Sequence, residues 1–380
     1  MAAQSLQQHA NRQPPARNSF RGQKFRETLT GYLFILPAVL IIGLFGFFPI
    51  LYAVYMSTFN WRVRKGPFIG IDNYHRALGD WQYVLAFAAG FALLALAYVV
   101  WTRSLQSMDN RKLAGGVLGA LALIGGFGVL AFGWGGMTQT GDMKFLKSLP
   151  ISLYYALGAV PLQLAFGLFL ASLLYQKIRG QSFFRMLYFL PYITPVVATA
   201  VVFRTIFSPR ETSLANQFLS WFGLPPQKWL FEARPFLTAF FGLPAEGFSG
   251  GPSMALVSVI LFGVWSFVGY NVVVFLAGLG GIPKEIYEAA EIDGASGAQM
   301  FRYVTIPMIS SVTFYLGLVS FIGTLKAFNH LYVMRTPAAL GSVDTASISI
   351  FDTFYKSNNY GYAAAQAIIL FIIIAALTYA

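Results

Sequence analysis

Four of the chain's 14 acidic residues, Glu285, Glu288, Glu291 and Asp293, crowd into one stretch between Pro283 and Pro307, PKEIYEAAEIDGASGAQMFRYVTIP. Pro283 suits the first turn of a helix, where its missing N–H leaves no bond unmade, and Lys284 to Asp293 then reads as helical. Glu288 and Glu291 are three apart and share a face, with Ala289 and Ala290 offering a small, closely approachable surface beside them. None of Glu285, Glu288 and Glu291 has a Lys or Arg three or four residues later, and only Lys284, four before Glu288, answers the charge locally. Carboxylates left in this state can make charge-assisted hydrogen bonds to a cation on a partner. They can equally be the hydrated face of an amphipathic connector, the usual role of an acidic helix face. Gly294 and Gly297 supply backbone freedom for a bend. A second short helix then presents Met300, Phe301 and Tyr303, and Pro307 leads into the next apolar run.

The rest of the chain is poor in other chemistry. There is no cysteine, which excludes a disulfide, a thiolate metal site and a cysteine nucleophile. His9, His75 and His330 are scattered between the tail, an outer loop and the end of a span, without metal-ligand spacing, so surface or interface roles and no metal are expected. No GxxxxGK[ST] loop is present, and GLGG at Gly278–Gly281 lacks the Lys–Ser/Thr that would follow it, so this chain should bind no nucleotide. The apolar spans carry neither a His/Asp/Glu catalytic cluster nor the carboxylate pair of a proton-coupled carrier, and no catalytic residue is expected. Polar and aromatic side chains at membrane depth face a bundle interior or a cavity, which makes Trp265, Tyr270 and Asn271 candidates for a solute path. Gln163, Thr199, Lys326 and Asn329 are weaker ones. Helix–helix packing is the competing role for each.

These residues need a membrane scaffold. The 380 residues are 57% hydrophobic and only 11% charged, against roughly 25% in an ordinary soluble domain. Several apolar runs of about 20 residues can cross a bilayer core of ~30 Å as helices. The expected fold is therefore an all-α polytopic membrane protein with about eight spans. They are placed at Tyr32–Met56, Tyr83–Trp101, Leu113–Phe132, Ile151–Tyr175, Met186–Phe207, Met254–Leu279, Ser310–Leu331 and from Ala363 on. Pro37 and Pro49 are expected kinks in the first span. Pro191 and Pro195 lie in the fifth, where Arg204 can snorkel outward.

The net charge of +12 orients spans and favours anionic lipid. No basic soluble module with aromatic platforms points to nucleic acid. The polar tail Met1–Arg26, with five cations, reads as disordered and cytoplasmic. Basic loops at Arg103/Arg111/Lys112 and Lys177/Arg179/Arg185 fall inside on the same count, and so does the acidic segment. Arg62, Arg64, Lys65, Lys144 and Lys147 fall on outer loops, against that rule. Gly135–Leu149 is expected as an outer segment, and Ser208–Pro252 as short interfacial helices and turns.

EAA at Glu288–Ala290, Gly294 four residues on, and Val304-Thr305-Ile306-Pro307 at the close resemble the EAA loop of binding-protein-dependent ABC importer permeases. Val and Ile stand where Ile and Leu are usual in that close. YEAAEIDGA, IDNYHRAL at Ile71–Leu78, RGQSFFRMLYFLPYITPVVATAVVF at Arg179–Phe203 and VWSFVGYNVVVFLAGLGGIP at Val264–Pro283 look like the carbohydrate-uptake branch. The layout looks like the larger, maltose-type permease of a heteromeric pair. Against its six-span core, Tyr83–Phe132 reads as an inserted hairpin. The implied division is a basic tail over 1–28, first span and outer loop over 29–82, hairpin and outer segment over 83–148, and permease core over 149–380 with the loop at 283–307.

What the resemblance implies is a non-catalytic subunit in a bacterial or archaeal cytoplasmic (inner) membrane, multi-pass and with its amino end inside. It would move a sugar, an oligosaccharide or a related polyol. Its partners would be a second permease subunit, an ATPase dimer that holds the ATP and Mg, an extracytoplasmic solute-binding protein, and membrane lipid. No cofactor is expected on this chain. Carried over by motif position, Glu288, Ala289, Ala290, Asp293, Gly294, Phe301 and Pro307 would contact and couple to the ATPase. A stand-alone secondary carrier or channel is the alternative, and the coupling loop argues against it.

Overall fold

A computed structural model describes residues 17–105, 111–176, 179–244 and 250–379, which divide into a unit ending at Met56 and a second from Ser57 onward. The first unit is one long helix. Helix α1 (Arg17–Ile42) passes through a π-helical turn, Gly43–Phe47, into α2 (Phe48–Ser57). The tail residues from Arg17 to Arg26 are thus helical rather than disordered, and residues 1–16 lie outside the described residues. Pro37 sits within α1. Pro49 has no N–H to give its preceding turn, and the π turn, where Phe48 N–H bonds Gly43 O, falls just before it.

The second unit opens on a small antiparallel hairpin, β1 (Phe59–Trp61) and β2 (Lys65–Phe68), with Phe59 opposite Phe68. Helix α3 (Asp72–Leu78) follows, and Asn73 ties it back by donating to the carbonyls of Ser57 and Phe59 at 2.8 and 3.1 Å. The segment expected as a hairpin is α4 (Trp81–Leu105) and α5 (Arg111–Thr140). Glycine brings the two backbones together: a Cβ at Gly133 would stand 2.5 Å from Phe87 N, and one at Gly90 2.8 Å from Leu130 N. Close approach through small residues is how membrane helices gain packing contact.

The segment Gly135–Leu149, expected on the outer side, is helical apart from Gly141 and Asp142. Helix α5 runs on to Thr140 and α6 (Met143–Tyr175) starts three residues later, because Asp142 caps it by accepting from Lys144 N and Phe145 N.

The segment expected as the fifth span is two helices with a sharp bend between them. Helices α7 (Gln181–Ile193) and α8 (Val196–Ile206) meet at 93°. Thr194 precedes Pro195, and a residue before proline is driven to extended backbone; Thr194 has φ −68°, ψ 139°. The expected turns beyond it are α9 (Leu214–Ser220), a 3₁₀ turn at Trp229–Phe231 and α10 (Phe236–Phe241). Asn216 organises them, accepting from Trp229 Nε1 at 2.7 Å and Gln227 N at 2.9 Å.

Helix α11 (Met254–Gly280) is the most buried of the long helices, followed by α12 (Lys284–Ile292), α13 (Gly297–Met300), a π turn at Phe301–Thr305, α14 (Ile306–Met308) and α15 (Ser310–Leu325). The seventh span ends at Leu325, not Leu331, where Lys326 and Asn329 interrupt the apolar run; α16 (Asn329–Met334) is a separate short helix. Helix α17 (Ala346–Phe351), a π turn at Asp352–Lys356 and α18 (Tyr360–Tyr379) complete the chain. The described residues hold six helices long and apolar enough to cross a membrane, and two bent pairs that raise the number to as many as eight.

Helices α6 and α11 run parallel: Gly263 abuts Tyr155, and Gly167 abuts Asn271 and Phe275. Helix α15 returns antiparallel, with Gly278 against Val312 and Gly317 against Leu164. The acidic segment and Tyr175 therefore lie at one end of the second unit, and Met143, Met254 and Tyr360 at the other. At that opposite end Asp352 receives Arg335 Nη1 at 3.0 Å, Lys356 Nζ at 2.8 Å and Lys144 Nζ at 3.4 Å, while Arg335 Nε also meets Asp344 at 3.3 Å. Two cations that defied the charge rule are thus answered locally, Lys144 by Asp352 and Lys65 by the face of Phe59 at 4.2 Å.

Candidate functional site

The acidic segment has the helix–bend–helix form. Helix α12 closes at Asp293, where Gly294 N–H bonds Glu291 O at 3.0 Å and Ala295 N–H bonds Ala290 O at 2.9 Å. This ending needs a left-handed residue, and Gly294 supplies it at φ +77°. Gly297, expected to share the bend, does not have positive φ; it is the first residue of α13. The start of α13 is set by a capping box, in which Gln299 N–H bonds Ser296 Oγ and Ser296 N–H bonds Gln299 Oε1 at 2.8 Å. The S-x-x-Q pattern over residues 296–299 is the sequence signal for it.

Glu288, Ala289, Asp293, Gly294 and Pro307 are exposed, and Ala290 and Phe301 are half-buried. Two residues join them that sequence reasoning missed. Ile292, at the tip of α12, is 86% exposed, an unusual position for a large aliphatic side chain beside three carboxylates. Tyr287 points the other way, packing against the core of Leu279, Ile282 and Ile309 and meeting Thr305 Oγ1 at 3.1 Å. Alternation along α12 was the available signal: Ile286 and Tyr287 form the inner side, and Glu288 and Ala289 the outer.

A second feature lies among the apolar helices. A recess of about 440 Å³ opens between α6, α7 and α11, walled by Phe166, Tyr188, Pro191, Thr194, Trp265 and Val268, with only neutral side chains along it. Trp265 lies in this wall and is 40% exposed, its ring 4.8 Å from that of Phe203. The other two expected path residues do not line it. Tyr270 stacks on Tyr192 at 5.3 Å. Asn271 is buried against Gly167, and neither of its amide atoms has a hydrogen-bond partner.

The weaker candidates also separate. Gln163 donates to Gly263 O at 3.2 Å across the α6–α11 interface, Thr199 bonds back to Val196 O, and Lys326 and Asn329 are exposed. His330 is not a surface residue. It is buried among Phe262 and Phe267 and paired with Tyr155 OH at 2.7 Å, because the chain turns inward after Leu325. His75 is exposed beside Asp80 at 3.2 Å, and His9 lies outside the described residues. Among the described residues, no group of three His, Cys, Asp or Glu could hold a metal ion.

A polytopic helical unit with an EAA-type loop at one end defines a transporter permease. The chain belongs to the family described as binding-protein-dependent transport system inner membrane component, which its residues 163–380 match. It is similar to the arabinooligosaccharides transport system permease protein AraP of Halalkalibacterium halodurans, 31% identical over 232 residues, covering 60% of this chain and 67% of that one. The trehalose/maltose transport system permease protein MalF of Thermococcus litoralis is 22% identical over 360 residues, 93% of each chain. A solved bacterial ABC transporter involved in the import of the acidic polysaccharide alginate shares the fold, with a TM-score of 0.63 at 17% identity over 94% of this chain and 95% of that one.

Proposed function

We propose that this chain is the multi-pass permease subunit of an ATP-driven importer of a sugar or oligosaccharide, coupled through residues 283–307 to a separate ATPase. The carrying observation is the exposed outer face of α12, where Glu288, Ala289 and Asp293 stand beside a left-handed Gly294. In this reading Glu288 makes a charge-assisted hydrogen bond to an ATPase cation. Ala289 and Ala290 allow the cleft to close on the helix, with Phe301 and Pro307 carrying the second arm. Ile292 adds an apolar anchor. ATP and Mg stay on the ATPase dimer, a second permease completes the path, and a solute-binding protein delivers cargo from outside. The amino end and the coupling segment are cytoplasmic.

The relatives named above carry sugars, which supports a carbohydrate cargo. The neutral recess beside Trp265 suits an uncharged sugar, whose C–H face stacks on indole. Tyr270 and Asn271 act in the path only if the second permease or a helix rotation turns them inward.

The test is co-expression with the ATPase and second permease, followed by uptake of labelled maltose, trehalose and arabinotriose into proteoliposomes. ATP-dependent uptake that Glu288→Lys abolishes is expected. Uptake that persists without any ATPase overturns the reading in favour of a stand-alone carrier.

A further inference from the structure

The acidic segment has two arms and two yielding points between them. The first arm, α12, hangs from α11. The second runs through α13 and the π turn into α14, beyond which a 64° bend at Ile309 leads to α15. Gly294, at φ +77° with open space around it, is one yielding point. The π turn Phe301–Thr305, where Ile306 N–H reaches back to Phe301 O, is the other; such turns are wider and less regular than α-helix and recur at functional sites. A force applied to α12 would be absorbed at these points unless something tied the arms together.

One side-chain pair does so. Tyr287 OH lies 3.1 Å from Thr305 Oγ1, 18 residues on. Thr305 is buried, its hydroxyl also lies 3.4 Å from Met300 O, and either hydroxyl of the Tyr287–Thr305 pair can donate to the other. The tyrosine ring packs against an apolar core that includes Leu279 of α11, Ile282 just before α12 and Ile309 just before α15. The bond therefore bridges both yielding points and sits on the seam where the two arms meet the membrane bundle.

We propose that Tyr287 and Thr305 form a clasp that makes α12 and the start of α14 move as one body, so that a displacement of α12 reaches both arms of the segment together. Both are positioning residues, and the proposal rests on the coupling function given above. Loss of the clasp leaves the outer face of α12 intact but lets the bend and the π turn take up the motion. One net hydrogen bond biases the arms toward the clasped arrangement about fivefold.

The cysteine-free sequence allows a direct test. Spin labels at Glu291→Cys on α12 and Met308→Cys on α14, both exposed, report the distance between the arms in the complex assembled with the ATPase and second permease. With the clasp intact, one narrow distance distribution is expected, unchanged between nucleotide-free and ATP–vanadate states. Tyr287→Phe keeps the ring but removes one hydroxyl of the pair, and Thr305→Val removes the other. Each should broaden the distribution or make it nucleotide-dependent, with the double variant no worse than either single. Thr305→Ser should restore the parental distribution, and ATPase co-purification should stay within about twofold, the scale of a surface change that leaves the docking face alone.

A Tyr287→Phe distribution identical to the parent's overturns the clasp, as does a parental distance that already shifts with ATP. A parental chain that fails to retain the ATPase overturns the coupling function instead, and the clasp with it.

Discussion

Replacing Gly294 with alanine isolates the backbone requirement of the bend. At φ +77° an L-residue pays the left-handed penalty, roughly 1–2 kcal/mol. No atom lies within 4 Å of where the new Cβ would stand, so the free chain adds no steric term to that figure. The bent loop should lose about 5- to 30-fold in population relative to unbent alternatives, and ATP-dependent uptake should fall by the same factor while membrane insertion is unchanged. Two companions separate conformation from size. Gly294→Asn is larger, yet asparagine tolerates this region, so it should retain more uptake than alanine. Gly297→Ala also meets open space but lies in helical backbone at the start of α13, and should be neutral. Uptake and ATPase rates of the three variants in proteoliposomes decide the matter. Equal loss in Gly294→Ala and Gly294→Asn would refute the conformational argument and point to a cleft that rejects any side chain.

Other outcomes follow from the packing. Asp352→Asn leaves Arg335, Lys144 and Lys356 without their shared carboxylate and should cost about 3 kcal/mol, the scale of a broken buried pair, seen as a lower melting temperature in detergent. Burial raises the Asp352 pKa, but the Lys356 hydrogen bond and the charge of Arg335 outweigh it and leave the value below the ordinary carboxylate range. Its stabilisation is therefore present above an unfolded pKa of about 3.9 and is lost as pH falls through the lower folded value. Asp344, whose pKa burial raises, destabilises the neutral-pH fold and is relieved on acidification. A melting curve of Asp352→Asn that keeps the parental acid limb would contradict the assignment to Asp352. Gly269→Ala drives a Cβ into the Tyr188 carbonyl and should abolish the α7–α11 packing and the folded yield, whereas Gly280→Ala meets nothing and should express normally. Trp265→Ala should raise the uptake KM several-fold for a neutral oligosaccharide, by loss of a stacking surface of about 1 kcal/mol, with ATPase association unchanged; an unaltered KM would remove Trp265 from the path.

Local chemistry made part of this protein legible in one dimension. Apolar runs of bilayer length announced the spans, and Pro283, Glu288, Ala289, Ala290 and Gly294 announced the acidic helix and its bend, because capping and left-handed turns depend on neighbours within a few residues. Thr194–Pro195 already carried the break in the fifth span. The rotation of each helix was not legible. Helix α11 is apolar on nearly every side, so its periodicity could not say that Trp265 faces a recess while Asn271, six residues on, is sealed against Gly167. The inward turn of His330 onto Tyr155, the pairing of Lys144 with Asp352 across 208 residues, and the Tyr287–Thr305 clasp across the bend likewise depend on which elements meet. The sequence by itself determined which segments enter the membrane and what the acidic loop is made of. Tertiary packing alone decided which side of each helix is free to work, since in a chain this uniformly apolar the choice of neighbour, not the period of hydrophobicity, sets the face.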